Sequence, residues 1–430
     1  MNRRGCEGPP PAVAPAVHQD ISTCLTEAVG TGGIARDALD RLLAEAGRAL
    51  ADLRQARAAG AQPFLAYADA RDDLTAPKAM AADWRARYRR LVVLGTGGAN
   101  LGGQALAATG AESGRLLFLD NGDGDRLDRL LREPDLDRTG FLVISKSGAT
   151  AETLAQALLV LGNTEPADVA AVITQPGASP LRRLAARFDL PVLDHDPALG
   201  GRFSALSLVG LLPAMFGGVD GEAARDGAQA VLTAALEETS PDRSAPALGA
   251  ALAVAAMQAW PSANVVLMPY GPNLYSLGLW YRQLWAESLG KDGLGSTPVL
   301  APGPVDQHSQ LQLFLDGPGG NLFTILEAPE TAPRRVDAAL AEAIGATYLG
   351  GHRMGDLIAA QARATATMLT EAGRPVRHLS VPAADARAVG ALMMHFMLET
   401  VLAAQLLGVD PFDQPAVERG KELARRDLEA

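Results

Sequence analysis

From Phe141 to Leu154 the chain reads FLVISKSGATAETL. An apolar run predicts a buried strand, and the hydrophilic turn after it runs into a helix start. Ser145, Ser147 and Thr150 bring hydroxyls, Lys146 brings a charge, and Gly148 lets backbone approach a ligand closely. In a parallel sheet, ligands gather beyond the carboxyl ends of the strands. The start of a helix adds spare N–H groups and roughly half a positive charge. Together these residues make a compact cup for a phosphate monoester. The same stretch predicts an N-cap, with Glu152 closing a capping box. Capping and anion binding use one helix end, so both readings can hold.

A second glycine-rich turn, GTGGANLGG, spans Gly95 to Gly103. It follows a strand, and Asp120 ends the next one, where a ribose-binding acid could sit. The dinucleotide spacing fails, however, because Asn100 occupies the third glycine position. The Gly-Lys pairs at 290–291 and 420–421 lack the upstream glycine and following Ser or Thr of a nucleotide P-loop. Four more residues could do chemistry: Arg202 in GGRFS, Glu287 in AESLGKDG, His308 in DQHSQ and Lys421 in ERGKELA. Taken singly, each has an ordinary structural use: an arginine after a turn, a helix glutamate, a surface histidine, a solvated lysine. The apolar WYRQLW ahead of Glu287 predicts a half-buried carboxylate, the environment that tunes a general base. His395, between Met393 and Met397, reads as a core histidine. Its spacing to Glu399 lacks a third ligand, so no zinc site is expected.

The elements that hold these residues follow from the apolar pattern. Continuously apolar runs at 90–95, 116–120, 141–145, 169–174 and 191–194 alternate with helical patterns, as strands buried on both faces do. A second series lies at 264–270, 322–328, 347–350 and 376–382. The predicted fold is α/β, two parallel-sheet domains in tandem. The expected divisions are a tail and helical segment over 1–60, a first domain over 61–200 and a helical bridge over 201–260. A second domain spans 261–390, and C-terminal helices span 391–430. Residues up to about 17 read as unstructured.

The chain has 430 residues and a net charge of -11. That charge disfavours nucleic acid and anionic lipid as partners. Two cysteines, Cys6 and Cys24, are too few for a disulfide framework and point to a reducing cytoplasm. The Pro-rich start is unlike a signal peptide. The stretches ALGAALAVAAMQAW and SALSLVGLLPAMFGG fall short of the ~20 residues that span a bilayer, so no membrane segment is expected.

Six motifs occur in order: LGTGGANLGG, VISKSGATAET, GGRFSALSLVGLLP, YRQLWAESLGKDG, DQHSQLQL and DPFDQPAVERGKELA. This set, from about residue 90 to 425, resembles the glucose-6-phosphate isomerase (phosphoglucose isomerase) family. The resemblance implies two SIS (sugar isomerase) domains, each a flavodoxin-like parallel sheet between helices, in a homodimer with shared active sites. It implies interconversion of glucose 6-phosphate and fructose 6-phosphate through a cis-enediol, without metal or cofactor. By the same resemblance Glu287 is the base, Arg202 steadies the enediolate, and His308 and Lys421 assist ring opening. Ser145, Lys146, Ser147, Thr150, Gly97 and Gly98 hold the substrate, and Gln414 contacts its phosphate end. Two departures stand out. Ala99 and Ala149 occupy positions where the family usually has serine and threonine, and each loses a hydroxyl. An uncompensated hydrogen bond to a charged group is worth ~1.5–3 kcal/mol. Two alternatives follow: an isomerase of another sugar phosphate, such as mannose 6-phosphate, or a non-catalytic SIS-domain sensor. A sensor has no use for Glu287, Arg202, His308 and Lys421 together.

Overall fold

Strands whose alternate residues enter different cores set this architecture. The structure, a computed structural model, describes residues 16–165, 168–260 and 262–430. The stretch expected to be unstructured, and Cys6 with it, lies almost wholly outside those residues. In the first half, strands β2 (Arg90–Leu94), β3 (Leu116–Leu119), β4 (Thr139–Ile144), β5 (Val169–Thr174) and β6 (Val192–Asp194) form one parallel sheet in the order β3-β2-β4-β5-β6. In the second half, β7 (Asn264–Tyr270), β8 (Thr297–Leu300), β9 (Asn321–Glu327) and β10 (Val376–Ser380) are parallel in the order β10-β9-β7-β8. A short antiparallel strand, β1 (His18–Asp20), adds to the β10 edge.

Leu91, Val93, Leu142 and Ile144 point into a large core that also receives Leu267, Leu322, Leu326 and Leu379 of the second sheet. Their neighbours Val92, Leu94, Phe141 and Val143 line a separate core on the outer face of the first sheet. Val266, Met268, Phe323 and Ile325 do the same for the second. Both faces of each sheet are therefore apolar, which is why the strands read as continuous hydrophobic runs.

The central core is filled by helices Gly221–Glu237, Ala245–Ala259 and Ala386–Leu407. The last is long and apolar enough to cross a membrane by length and composition, yet 89% of its apolar window is buried inside the protein. His395 lies on it, fully buried, as a core histidine should. It does not stand alone: its Nε2 is 3.0 Å from Glu399, which also takes a two-pronged pair from Arg377. Burial works against the Glu399 charge, but Arg377 and His395 outweigh it and hold the carboxyl at about 2.

Two readings of the sequence need correction. TYLG, expected as a strand at 347–350, is a 3-10 turn at Thr347–Leu349. The fourth strand position belongs to Thr297–Leu300, an edge strand hidden in a Pro/Gly-rich stretch.

Candidate active site

The first sheet reverses its strand order between β2 and β4, and a crevice opens beyond their carboxyl ends. A cavity of about 340 Å³ lies there, inside the ~300–1,000 Å³ range of small-molecule sites. Its walls come from Thr96, Gly98 and Ala99 after β2, Ile144 to Ser147 and Thr150 at the end of β4 and beyond it, Gln175 after β5 and His195 after β6. Gly201 and Arg202, Gln283 and Glu287, and then Gln414 and Lys421 close the other side.

The SKSGAT turn is shaped by its glycine. Gly148 adopts φ +63, and a Cβ there would collide with Ser179. Its carbonyl accepts from Leu181 N at 3.0 Å, and the Lys146 carbonyl accepts from Gln175 N at 3.0 Å. The backbone is thus tied to the next βα turn, and the side chains are left to the cavity. Ser145 is buried, and its hydroxyl and that of Thr150 bond each other at 2.9 Å. This corrects the expected capping box. Thr150 is the N-cap of helix Ala151–Leu161, but its side chain makes no cap bond, and Glu152 sits one position too early to close the box. The hydroxyl is turned to Ser145 and the cavity instead. Burial holds the Lys146 ammonium below its usual range, with Asp196 pulling it back up.

Gly98 packs its backbone against Gly201, so the glycine turn after β2 and the turn carrying Arg202 touch directly. Gly97 lies behind it, against the Gln283 amide. Of the two departures, Ala99 lines the cavity, whereas Ala149 is exposed and does not.

At the far end stands Arg202, 3% exposed. Its Nε donates to Ser288 Oγ at 2.8 Å. Nη1 donates to Glu287 Oε2 at 3.2 Å and Gln414 Oε1 at 2.7 Å. Nη2 donates to the carbonyls of Pro411 at 2.5 Å and Asp413 at 3.0 Å. A guanidinium has five N–H donors, and here each has an acceptor. Burial pushes this group down, and Glu287 works against that. Glu287 is half-buried, as expected, and its second oxygen accepts from Gln283 Nε2 at 2.9 Å.

The structure brings together Glu287, Arg202, Gln414, Lys421, Gly98 and the 145–150 turn. Gln414 lies against Arg202, beside Glu287, because the 410–414 segment wraps over the guanidinium. It does not lie on the hydroxyl-rich turn where the phosphate end was expected. Lys421 lines the mouth from helix Glu418–Glu429, two-thirds exposed and paired to Glu418 at 2.7 Å. His308 is not in the cavity: it sits exposed on helix Gly303–Ser309, above the second sheet. Four polar side chains of the lining were missed. Thr96, Gln175 and His195 each follow a first-sheet strand, the signal that found Ser145. Gln283 precedes Glu287 by one helical turn, on the same face. Among the described residues, no group of three or more His, Cys, Asp or Glu side chains is placed to hold a metal ion.

The arrangement has a hydroxyl-and-ammonium cup at one end and a carboxylate backed by a buried cation at the other. It can hold a small anionic substrate by its charged end and move a proton at the other.

Comparison with known proteins agrees. The family model for phosphoglucose isomerase matches residues 78–299. A probable glucose-6-phosphate isomerase of Halobacterium salinarum is 46% identical over 320 residues, 72% of each chain. One of Haloarcula marismortui is 38% identical over 419 residues, 95% of this chain and 94% of the relative. Among solved structures, a hypothetical protein of Thermus thermophilus superposes with a TM-score of 0.82 at 34% identity, covering 96% of this chain and 100% of that one. A glucose-6-phosphate isomerase of Chlamydia trachomatis gives 0.71 at 25% identity, covering 83% and 73%.

Proposed function

The chain belongs to the phosphoglucose isomerase family, and on that premise we propose how its cavity interconverts glucose 6-phosphate and fructose 6-phosphate. The observation that carries the reading is the Glu287–Arg202 pair at 3.2 Å, facing the same cavity as the SKSGAT turn.

In this reading the phosphate sits in the cup of Ser145, Lys146, Ser147 and Thr150, with the Gly97–Gly98 turn as its floor. The open-chain sugar extends toward Glu287. That carboxylate takes the C2 proton as the C1 carbonyl oxygen becomes an oxyanion. In the resulting cis-enediolate the hydroxyl proton passes from O2 to O1, and the protonated carboxyl then delivers its proton to C1. The enediolate needs a cation, and a charge in a water-poor site acts more strongly than in bulk. Arg202 supplies it as a fixed charge, since its N–H groups are already occupied by protein acceptors. Gln283 orients Glu287. Lys421 reaches the sugar ring from the mouth. No metal or cofactor has a step in this scheme, so full activity is expected in excess chelator.

His308 has no route to the cavity of its own chain in this scheme. We assign it to the site of the partner subunit in a two-fold homodimer, where it assists ring opening. Glu287→Gln and His308→Ala are then each inactive, but mixed subunits rescue each other. One site collects both lesions and the other neither, so random pairing restores about a quarter of parent activity. Mixed dimers that form and stay inactive would place the whole site in one chain. We also propose a cytoplasmic location, which the two cysteines and the buried, free Cys24 thiol fit. No nucleic-acid or membrane partner is proposed, given the net charge of -11.

The activity is tested by following fructose 6-phosphate formed from glucose 6-phosphate, with mannose 6-phosphate in parallel. Turnover of glucose 6-phosphate alone supports the reading; faster turnover of mannose 6-phosphate, or none of either, overturns it.

A further inference from the structure

Residues 410–414 bring Gln414 to the cavity but belong to no helix or strand, so side chains elsewhere must hold them. Arg202 binds the Pro411 and Asp413 carbonyls. Phe412 packs on Phe203, with ring centroids 5.1 Å apart, and on Phe64, at 6.2 Å. A third anchor has no part in the scheme above. Lys291 follows the helix Tyr275–Leu289 that carries Glu287, and its side chain is only 11% exposed. Its Nζ donates to the Ser288 carbonyl at 3.0 Å and to the Asp410 carbonyl, and it pairs with Asp413 Oδ1 at 3.0 Å.

An ammonium has three donors, and here all are committed. A lysine near a helix end often binds the last carbonyls, and that explains the bond to Ser288. It does not explain Asp410 and Asp413, the first of which lies 119 residues further along the chain. Ser288 itself adjoins Glu287 and accepts from Arg202 Nε. Lys291 therefore ties the end of the Glu287 helix to the strap that carries Gln414. Beyond the strap, helix Glu418–Glu429 buries none of its residues, so the strap decides where Lys421 stands.

We propose that Lys291, through Asp410 and Asp413, is a positioning residue for the isomerisation. It clamps the 410–414 strap to the Glu287 helix, which sets Gln414 against Arg202 and Lys421 at the cavity mouth. Lys291 touches no reacting atom. The inference rests on the isomerase reading for its consequence in turnover, but the clamp itself is measurable without activity.

The test compares full-length parent, Lys291→Met, Asp413→Asn and the double variant by steady-state kinetics with glucose 6-phosphate. Backbone hydrogen exchange followed by mass spectrometry gives the second readout. A displacement of about 1 Å in a positioned group can cost a hundredfold in rate. Lys291→Met is expected to lower kcat about tenfold or more with KM changed less than about threefold, since the phosphate cup is untouched. Exchange in peptides covering 409–421 should rise about tenfold, while peptides of the central helices stay as in the parent. The double variant should be no worse than Lys291→Met, because both lesions open one clamp. Unchanged exchange at 409–421 in both single variants overturns the clamp. Loosened exchange with parent kcat overturns the positioning role, and so does a double variant whose loss is the product of the single losses. If Lys291→Met does not fold, Asp413→Asn carries the same kinetic and exchange tests. A parent protein that fails to isomerise glucose 6-phosphate refutes the functional reading but leaves the exchange result standing.

Discussion

The two sheets share a plan and differ in what they leave at their carboxyl edge. Read from the first strand of each half, the strand order is the same: β3-β2-β4-β5 in one, β8-β7-β9-β10 in the other. Both therefore reverse direction next to their first strand, and both have a place for a ligand there. In the first, β2 and β4 run into glycine and hydroxyl turns that leave a cavity. In the second, β7 runs into Tyr270, which is 1% exposed and whose hydroxyl donates to Gln307 Oε1 at 3.0 Å and shares a second hydrogen bond with the Thr365 hydroxyl at 2.9 Å. Gly303 packs against that ring, and Leu274 fills the space by Gly271. The topology offers a switch point twice; side chains decide whether it becomes a site.

Two arginine–glutamate pairs repeat the contrast. Arg377 and Glu399 are sealed, at 3% and 1% side-chain exposure. Arg202 is equally buried, at 2%, but Glu287 is 36% exposed and faces the cavity. The first pair can serve only the fold; the second is open to chemistry.

The comparison breaks most visibly if the pairs are disturbed. Arg202→Lys keeps a charge but loses the planar fork, and kcat should fall about 10²–10³-fold with only a modest change in melting temperature. Steady-state kinetics beside a thermal melt decides this. Glu399→Gln should do the opposite. It leaves a buried arginine uncompensated and should cost about 3–5 kcal/mol of stability by denaturant unfolding. Turnover per folded molecule should stay at the parent value. A Glu399 variant with a ruined kcat and an unchanged melt would erase the distinction.

The edges are tested next. Lys146→Met should raise KM for glucose 6-phosphate about 10- to 100-fold, the loss of ~1.5–3 kcal/mol from a charged contact. Tyr270→Phe, at the matching edge of the second sheet, should leave KM and kcat alone and cost about 1 kcal/mol of stability. The smallest expected effect is Ala99→Ser, which should lower KM by about threefold with kcat unchanged, because a phosphate contact far from C1 and C2 binds substrate and transition state alike. Ala149→Thr, on an exposed residue outside the cavity, should do nothing measurable.

Much of this was legible in the residues, for physical reasons. Strands buried on both faces are continuous apolar runs, so β2, β4, β5, β7 and β9 were plain. Ser145 to Thr150 stood out because hydroxyls and a lysine where a buried strand meets a helix suit an anion as well as a helix cap, and Ser145, Lys146, Ser147 and Thr150 do line the cavity. The unread parts were those whose meaning is tertiary. Thr297–Leu300 is a short edge strand containing Pro298, and proline at an edge reads as a loop. TYLG is apolar enough for a strand, but Tyr348 is 74% exposed in a turn. His195 at a strand end and Gln283 one helical turn before Glu287 are single polar residues in positions that many side chains occupy, and the Lys291 partner Asp410 lies 119 residues further along the chain. Gln414 was read as a contact to the phosphate end, whereas it accepts from Arg202 beside Glu287, and nothing in FDQP shows that its segment crosses Arg202.

A proton carried by Glu287 between C2 and C1, at the edge of the first sheet, leaves its trace in the hydrogen at C2. The direct measurement uses glucose 6-phosphate deuterated at C2, in ordinary water, followed by NMR for deuterium lost to solvent or carried to C1. The parent protein should both transfer and wash out the label. Glu287→Gln should do neither, while still binding sorbitol 6-phosphate, which has no carbonyl, within about threefold of the parent. Label that leaves C2 in the Glu287→Gln protein at near the parent rate would remove Glu287 from the role of base.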